Sequence, residues 1–229
     1  NDASVSNPTV STLISGTTSY TVTVTNALGC QSTDMVAVTI NPLPAVSFQS
    51  SVASGCAPVS ITFTNDNQAG SVNCVWTFEG GVTQVGCGSV TQQYTSPGSY
   101  DVTLTVTDPS GCTGSVTQTD MITITSEVDA SFDVDVYEQT VLYPVFNFTN
   151  TSSNATSYVW EFGDGTTSTQ ISPIHAFMEE PGVYHVVLHA FGEGGCRDSA
   201  VVVVSVVDDL ILYVPNTFTP DGDEHNNIF

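Results

Sequence analysis

The sequence predicts an all-β protein made of repeated β-sandwiches, and three observations carry this prediction. Apolar residues alternate with polar ones over short runs, so that Tyr184, Val186, Leu188 and Ala190 fall on one face of a predicted strand. Thr and Val are frequent in these runs, and Gly, Pro, Asn and Asp separate them, as expected for strands joined by tight turns. The third observation is internal repetition, which makes the fold modular.

The repetition relates two long segments of the chain by a constant offset of 84 positions. The matched pairs are Trp76 and Trp160, Pro97 and Pro181, Tyr100 and Tyr184, Leu104 and Leu188, and Cys112 and Cys196. A partial third copy, SYTVTVTNALGC, places Tyr20, Val22 and Val24 on an inward face before Gly29 and Cys30. The chain is therefore predicted to be a tandem array.

The last copy carries the most characteristic motif, WEFGDG, followed by Pro173-Ile174-His175 and Pro181-Gly182-Val183-Tyr184. Gly163, Asp164 and Gly165 predict a two-residue hairpin turn. These residues resemble the PKD domain, a seven-stranded immunoglobulin-like β-sandwich. The resemblance implies tandem immunoglobulin-like (PKD) β-sandwiches. The middle copy departs from the motif, with FEGG in place of FGDG.

The end of the chain, YVPNTFTPDGDEHNN, resembles a different family. It is similar to the opening of the gliding-motility-associated C-terminal domain of proteins exported by the type IX secretion system of Bacteroidota. The matching residues of this secretion motif are Pro215, Asn216, Phe218, Thr219, Pro220, Gly222, Asp223 and Asn226. The resemblance implies two partners, which are the type IX secretion machinery and an outer-membrane anchor of the PorP/SprF family. It also implies a location at the cell surface, attached to the outer membrane.

Length and resemblance together divide the chain into four segments. At roughly 100 residues per sandwich, the 229 residues hold about two complete domains and two remnants. The predicted segments are the C-terminal part of an Ig-like/PKD repeat (1–44), a PKD-like repeat (45–126), a PKD repeat (127–207) and the start of a type IX secretion C-terminal domain (208–229). The first segment resembles Ig-like repeats that end in Asn-Pro-Leu-Pro, here 41–44, and has strands predicted near 19–25 and 34–40.

The charge balance excludes some classes of partner. Arg197 is the one basic residue against 23 acidic residues, which gives a formal net charge of −22. Such a surface repels nucleic acid and anionic membranes, because both bind through Lys and Arg. It makes the chain soluble and attracts divalent cations. The most apolar run, 200–207, is short and β-branched, so we interpret it as a strand that does not span a membrane.

The six cysteines predict disulfides and an extracytoplasmic setting. The four cysteines of the middle copy permit three pairings. Cys74 and Cys87 flank the predicted Trp76 hairpin, and Cys56 and Cys112 lie near an early and a late strand. We predict the pairs Cys74–Cys87 and Cys56–Cys112, and we expect the partner of Cys30 to lie upstream of this chain. The spacings do not match those of zinc ligands.

No catalytic residues are predicted. His185 and His189 lie on one strand face with Cα atoms about 13 Å apart at strand rise, so they do not share a metal. No nucleophile, base and orienting acid occur in a recognisable arrangement. The preference of Asp for tight turns explains Asp164 without a catalytic role. For His175, the PKD resemblance implies a structural hydrogen bond. Trp76 and Trp160 are expected in the core rather than on a sugar-stacking surface.

Two weaker site predictions concern a metal and a modification. Asp221, Asp223 and Asn226 alternate oxygen ligands around Gly222, as calcium loops do, with an Asx-rich turn as the alternative. Calcium is therefore the one candidate cofactor. Asp198-Ser199-Ala200 resembles the O-glycosylation acceptor of Bacteroidota, which makes Ser199 a candidate glycosylation site.

These features predict the function of a non-catalytic C-terminal stalk. The chain would form the export and anchoring end of a large cell-surface adhesin, secreted by the type IX system and used in gliding motility or surface attachment. The alternative is an accessory spacer and secretion tail of a secreted polysaccharide-degrading enzyme or protease. In a third interpretation the repeats bind surface polysaccharide, which requires exposed aromatic residues on one sandwich face.

Overall fold

The computed structural model describes Thr9 and residues 14–209, which form strands and two short 3-10 turns. The chain divides into two compact units between Ser126 and Glu127. The strands before this boundary are β1 (Gly16–Thr25), β2 (Gln31–Ile40), β3 (Phe48–Ser50), β4 (Ser54–Cys56), β5 (Val59–Asn65), β6 (Asn73–Phe78), β7 (Thr83–Val85), β8 (Ser89–Tyr94), β9 (Gly98–Thr107) and β10 (Thr113–Thr125). Those after it are β11 (Phe132–Val134), β12 (Glu138–Thr140), β13 (Val145–Asn150), β14 (Ser157–Glu161), β15 (Thr167–Ser168), β16 (Ile174–Ala176), β17 (Gly182–Phe191) and β18 (Arg197–Val207).

Strands β3–β10 form a sandwich of two sheets, here called sandwich A. One sheet has the order β3-β5-β8 and the other the order β4-β10-β9-β6-β7. Neighbouring strands are antiparallel, except that β4 runs parallel to β10. The first strand of the predicted seven is divided, because β3 pairs in one sheet and β4 pairs in the other. The structure therefore has eight strand segments where seven strands were expected.

Strands β11–β18 form sandwich B with the same topology. Its sheets have the orders β11-β13-β16 and β12-β18-β17-β14-β15, and β12 again runs parallel to the last strand. The constant sequence offset between the two copies therefore corresponds to a repeat of one fold. The prediction of an all-β fold of tandem sandwiches is confirmed. Among the described residues, no helix is long and apolar enough to cross a lipid bilayer.

Each sandwich has a hydrophobic core of its own, organised around a tryptophan. Trp76 and Trp160 are fully buried, and their indole nitrogens donate to the carbonyl oxygens of Gly86 (2.9 Å) and Gln170 (2.8 Å). The alternating residues of β17 point into this core, as the sequence pattern predicts. Both tryptophans therefore stabilise the sandwiches and are not available to stack on sugars.

Strands β1 and β2 form a separate antiparallel hairpin whose residues are exposed apart from two half-buried ones, Tyr20 and Ile40. Its turn repeats the turn between β9 and β10. The Asn26 carboxamide oxygen accepts from the backbone nitrogens of Leu28 and Cys30, and the carboxylate of Asp108 binds its own turn in the same way. The hairpin thus has the local structure of the last two strands of a sandwich.

The cysteines follow the predicted pairing only in part. Cys74 and Cys87 form a disulfide with an S–S distance of 2.03 Å. The predicted pairing of Cys56 with Cys112 is wrong, because Cys112 is a free thiol. In the parallel register of β4 and β10, Cys56 lies opposite Thr125 at the end of β10, whereas Cys112 immediately precedes the start of that strand. At strand rise the two cysteines are about 40 Å apart, and a disulfide needs Cα atoms within about 7 Å.

Tyr94 gives a first testable prediction about sandwich A. Its side chain is buried, and its hydroxyl group has no hydrogen-bond partner in the described part of the chain. Burial, followed by the charges of Tyr100 and Glu79, raises the pKa of Tyr94 to about 12. Phe177 occupies the corresponding place in sandwich B and packs on Tyr184 as Tyr94 packs on Tyr100.

We expect Tyr94→Phe to stabilise sandwich A by about 1 kcal/mol, because it removes a buried unpaired hydroxyl and keeps the ring. Urea unfolding is the measurement. The matched control is Tyr100→Phe, which removes the 2.7 Å hydrogen bond that the Tyr100 hydroxyl donates to the Ser96 carbonyl and should destabilise. A Tyr94→Phe variant less stable than the wild type would contradict the prediction.

Candidate functional site

The closest pairing of an acid with an imidazole in the described residues lies at one end of sandwich B. The Asp164 carboxylate oxygen Oδ2 lies 2.7 Å from Nε2 of His175, and the two side chains are only 8% and 14% exposed. Asp164 belongs to the turn after β14, and His175 is the central residue of β16. The pair therefore connects the two sheets of the sandwich.

The turn that carries Asp164 is wider than the predicted two-residue hairpin. Five residues, 162–166, separate β14 from β15, and the Phe162 nitrogen donates to the Thr166 carbonyl at 3.2 Å. Gly163 has a φ of +84°, and a Cβ placed there would lie 2.9 Å from the carbonyl oxygen of His185. Only glycine fits this position, since both the backbone conformation and the contact with β17 exclude a side chain.

Hydrogen bonds fix the Asp164 carboxylate inside the turn. Its Oδ1 accepts from the Thr166 nitrogen at 2.9 Å and from the Thr166 hydroxyl at 2.6 Å. Burial acts to raise the pKa of Asp164, but the hydrogen bonds from Thr166 and His175 outweigh it and hold the pKa below the usual value. The ionised carboxylate is thus the form that the folded sandwich stabilises.

Aromatic rings enclose the imidazole. The His175 ring stacks on Phe162 with centroids 3.9 Å apart and an interplanar angle of 6°, and the edge of Phe177 lies against it at 4.6 Å. Phe177 in turn stacks on Tyr184 at 4.1 Å. These four rings close the end of the core beside the turn.

This geometry is that of a structural clasp rather than a catalytic triad. Thr166 Oγ1 is the nearest hydroxyl and lies 3.4 Å from His175 Nε2, the same nitrogen that contacts Asp164. In a triad the acid and the nucleophile contact opposite ring nitrogens, so that the imidazole can pass a proton between them. With both groups at Nε2, the imidazole cannot relay a proton from Thr166 to Asp164. The structural hydrogen bond expected for His175 is present.

Sandwich A closes the corresponding region with different chemistry. By sequence offset and strand register, Gly80 stands in place of Asp164 and Gln92 in place of His175. Gln92 accepts a 2.9 Å hydrogen bond from the side chain of Gln84. The Cys74–Cys87 disulfide lies away from this region, at the beginning of β6.

The Asp164 clasp predicts an acid-dependent stability of sandwich B. A lowered folded-state pKa contributes stability that is present above the unfolded pKa of about 3.9 and is lost as the pH falls through the folded pKa. We expect Asp164→Asn to lower the stability of sandwich B by about 2 kcal/mol at pH 7, with a smaller loss on acidification than in the wild type. Chemical denaturation from pH 7 to pH 2.5 measures both effects, and sandwich A, with Gly80, is the internal reference. Equal acid dependence in variant and wild type would contradict this assignment.

The remaining sequence-predicted sites are not brought together with the clasp. Ser199 is an exposed residue of β18, and the neighbouring Asp198 turns away and accepts from the Ala130 nitrogen at 2.9 Å. That hydrogen bond lowers the pKa of Asp198. His189 lies 3.6 Å from the exposed carboxylate of Glu161. No group of three or more His, Cys, Asp or Glu residues suited to a metal occurs within 14–209.

Two sets of predicted residues lie outside the described range. The secretion motif, Pro215 to Asp223, and the candidate calcium ligands Asp221, Asp223 and Asn226 follow residue 209. Both remain predictions from the sequence.

Sequence reasoning missed the direct contact between Asp164 and His175. It explained each residue separately, one by turn preference and one by resemblance. The available signal was that both belong to the same motif of one repeat, 11 positions apart. It also missed the hydrogen bond between the Tyr100 hydroxyl and the Ser96 carbonyl.

The repeated sandwich, with its buried tryptophan and its aromatic end, defines a class of immunoglobulin-like modules. The family model of the PKD domain matches residues 41–124 and 127–206. The chain therefore belongs to the PKD domain family.

Individual relatives cover smaller parts of the chain. Collagenase ColQ1 of Bacillus cereus is 40% identical over 52 residues, which are 23% of this chain and 5% of the collagenase. The PKD1 domain of the Vibrio cholerae metalloprotease PrtV is 30% identical, with a TM-score of 0.32, and covers 36% of this chain and 99% of that domain. The PKD1 domain of Vibrio anguillarum Epp is 21% identical, with a TM-score of 0.32 and coverages of 36% and 96%.

Family membership sets the coarse functional class. PKD and related immunoglobulin-like domains are usually non-catalytic modules, and they occur in surface adhesins and in secreted proteases such as collagenase. Together with the disulfide, this membership indicates a secreted or extracellular protein.

Proposed function

We propose that this chain is a non-catalytic spacer at the C-terminal end of a large cell-surface adhesin. The observation that carries the proposal is the repetition of one self-contained sandwich with its own closed core. Because each repeat folds around its own tryptophan, repeats add length without depending on a distant partner. At strand rise, the 10–13 residues of the longest strands give about 35–40 Å per sandwich.

The exposed hairpin β1–β2 supports an array of more than two repeats. Val22 and Val24 lie on one face of this hairpin and are exposed, whereas their counterparts Leu104 and Val106 in sandwich A are buried. We assign residues 1–44 to the end of a third repeat. The assigned segments are thus 1–44, 45–126, 127–207 and 208–229.

Export by the type IX secretion system is the second part of the proposal, and it rests on the Pro215–Asp223 motif alone. The secretion machinery and an outer-membrane anchor of the PorP/SprF family would be the partners of this end, and gliding motility or surface attachment the role. The test replaces Phe218 by alanine in the whole protein, in the cell that makes it. If the motif directs export, the variant should not reach the cell surface, and protease added to intact cells should no longer release it. Asp209→Ala, just before the motif, is the control and should leave surface exposure unchanged. Equal surface exposure of the Phe218→Ala variant and the wild type would reject the export role.

The alternative function is the spacer and secretion tail of a secreted protease or polysaccharide-degrading enzyme. The similarity to parts of a collagenase and of a metalloprotease favours it. Intact mass and peptide mapping of the whole protein distinguish the two proposals. A very long chain of repeats supports the adhesin, whereas a modest chain with one non-repeating domain supports the enzyme.

A surface polysaccharide is a further candidate partner. Tyr137 and Tyr143, which flank β12, are exposed aromatic side chains of the kind that stack on sugars. Replacing both with alanine should reduce retention on a polysaccharide column. Tyr94→Phe, at a buried tyrosine, is the control and should leave retention unchanged. Equal retention would remove this partner. Intact mass analysis of the native protein and of its Ser199→Ala variant tests whether Ser199 carries a glycan.

Calcium binding at Asp221, Asp223 and Asn226 gives another testable prediction. Extracellular calcium modules bind with dissociation constants of about 0.1–1 mM. Calorimetric titration of chelated protein should show one such site, and Asp223→Ala should abolish it because a ligand carboxylate is lost. Asp209→Ala is the matched acidic control. Superimposable titrations of the wild type and Asp223→Ala would show that the acidic residues only confer solubility.

A further inference from the structure

The outer face of the large sheet of sandwich B differs in chemistry from the same face of sandwich A. In sandwich A this face carries hydroxyl groups, and Thr103 hydrogen-bonds to Thr117 across the strands at 2.8 Å. In sandwich B the corresponding pair is Val187 and Val201. The outward residues of β14, β17 and β18 in sandwich B, here called the valine face, include Val159, Val183, Val187, Val201, Val203, His185, His189 and Phe191.

The valine face is open to solvent. Val183 is 65% exposed and Val201 is 56% exposed, although the strands beneath them pack a complete core. Contiguous exposed apolar residues on a sheet commonly mark an interaction surface. The polar face of sandwich A shows that the fold itself does not require valines here.

The charge on the valine face favours another copy of this chain as the occupant. Among the outward residues of β14, β17 and β18, Arg197 is the one basic and Glu161 the one acidic side chain. Glu138 of the neighbouring β12, which pairs with Ser205, adds a second exposed carboxylate, so the face carries little charge compared with the whole chain. The nearby carboxylate of Asp198 is turned away toward Ala130. The chain as a whole carries a formal charge of −22, so two copies repel unless they meet through a weakly charged apolar surface. An acidic partner would gain little electrostatic attraction here, because Glu161 offsets the positive charge of Arg197.

We propose that the valine face is a self-association surface, covered by the valine face of a second copy. Two sheets packed face to face through valines are the ordinary arrangement inside a sandwich, with a spacing of about 10 Å. From Val183 to Phe191 the face is about 26 Å long, and three strands make it about 14 Å wide. Two such faces bury roughly 700 Å², which is below the size of a stable dimer interface. The contact is therefore weak, and association is expected only at high protein concentration.

Sedimentation velocity of the whole chain tests this proposal. The weight-average sedimentation coefficient should rise at concentrations on the order of 100 μM, as expected for a small interface. Added salt should strengthen the association, because it screens the repulsion between acidic copies. Association that weakens with salt would indicate charge attraction and overturn the proposal.

The repeat supplies the matched variant. Val183→Ser, Val187→Thr and Val201→Thr install together the residues that sandwich A has at Ser99, Thr103 and Thr117. The triple variant should remain monomeric over the same concentrations, with its fold checked by circular dichroism. Equal sedimentation of the variant and the wild type would overturn the proposal.

A footprint on the wild type needs no variant. Diethyl pyrocarbonate modifies exposed histidines, and its reaction with His185 and His189 should slow as the associated fraction rises. His175, with a side chain only 14% exposed, is the internal reference. Association without protection of His185 and His189 would place the contact elsewhere, for example on the β1–β2 hairpin, and would overturn the proposal. A chain that stays monomeric throughout would do the same.

Discussion

Trp160→Ala is expected to destabilise sandwich B by about 3–5 kcal/mol while leaving sandwich A folded. The Trp160 ring is fully buried and contacts Phe132 and Phe148, with ring centroids 4.9 and 5.8 Å away. The substitution opens a cavity in the centre of the core and also removes the donor to the Gln170 carbonyl. A domain of about 80 residues has about 4–12 kcal/mol of stability in total, so sandwich B should become marginal.

The two tryptophans make this experiment self-controlled. In Trp160→Ala protein the remaining fluorescence comes from Trp76 and reports on sandwich A, while far-ultraviolet circular dichroism follows both sandwiches. Urea unfolding should show an unchanged fluorescence transition and an early dichroism transition. Trp76→Ala is the matched variant and should reverse the pattern. Simultaneous loss of both sandwiches in either variant would contradict the view that each repeat has an independent core.

The core was predictable from the sequence because its signal is local. Alternation along β17 identifies Val186, Leu188 and Ala190 as inward residues, and the structure buries all three. The offset from Trp76 to Trp160 identifies the repeat. Both signals arise from the two-residue period of a strand, which needs no knowledge of how strands are ordered.

The wrong disulfide shows where local reasoning fails. The sequence places Cys56 near an early strand and Cys112 directly before a late one, β10. It does not show which end of β10 lies beside Cys56. The parallel pairing of β4 with β10 puts Cys56 beside Thr125, at the far end of the strand. Strand order and direction are properties of the whole sheet, and no pattern within ten residues reports them.

The Asp164–His175 clasp was only half predictable for a related reason. The glycines around Asp164 indicate a turn, but the two-residue turn they suggest would not place the carboxylate against β16. The observed turn is wider because Asp164 itself accepts hydrogen bonds from Thr166 and so fixes the backbone. A side chain that shapes the turn it belongs to is not visible in turn preferences alone.

Removal of the Cys74–Cys87 disulfide is the second large expected effect. The double variant Cys74→Ala/Cys87→Ala should destabilise sandwich A by about 3 kcal/mol, because the bond joins residues 13 positions apart and so restricts the unfolded chain. The same loop positions Gly86, whose nitrogen donates to the Cys74 carbonyl at 3.0 Å and whose carbonyl accepts from Trp76. Losing the bond therefore also loosens the hydrogen bond that orients the core tryptophan.

Calorimetry can separate this effect from changes in sandwich B. Tyr158 and Ile171 occupy the two corresponding positions there, so its transition should not move. For a domain of this size, 3 kcal/mol corresponds to a fall of about 12–24 °C in the melting temperature of sandwich A. Cys112→Ala is the matched control, and because Cys112 is a free thiol it should shift that temperature little. If Cys112→Ala lowers the melting temperature of sandwich A as much as the double variant does, the stabilisation cannot be assigned to the Cys74–Cys87 bond.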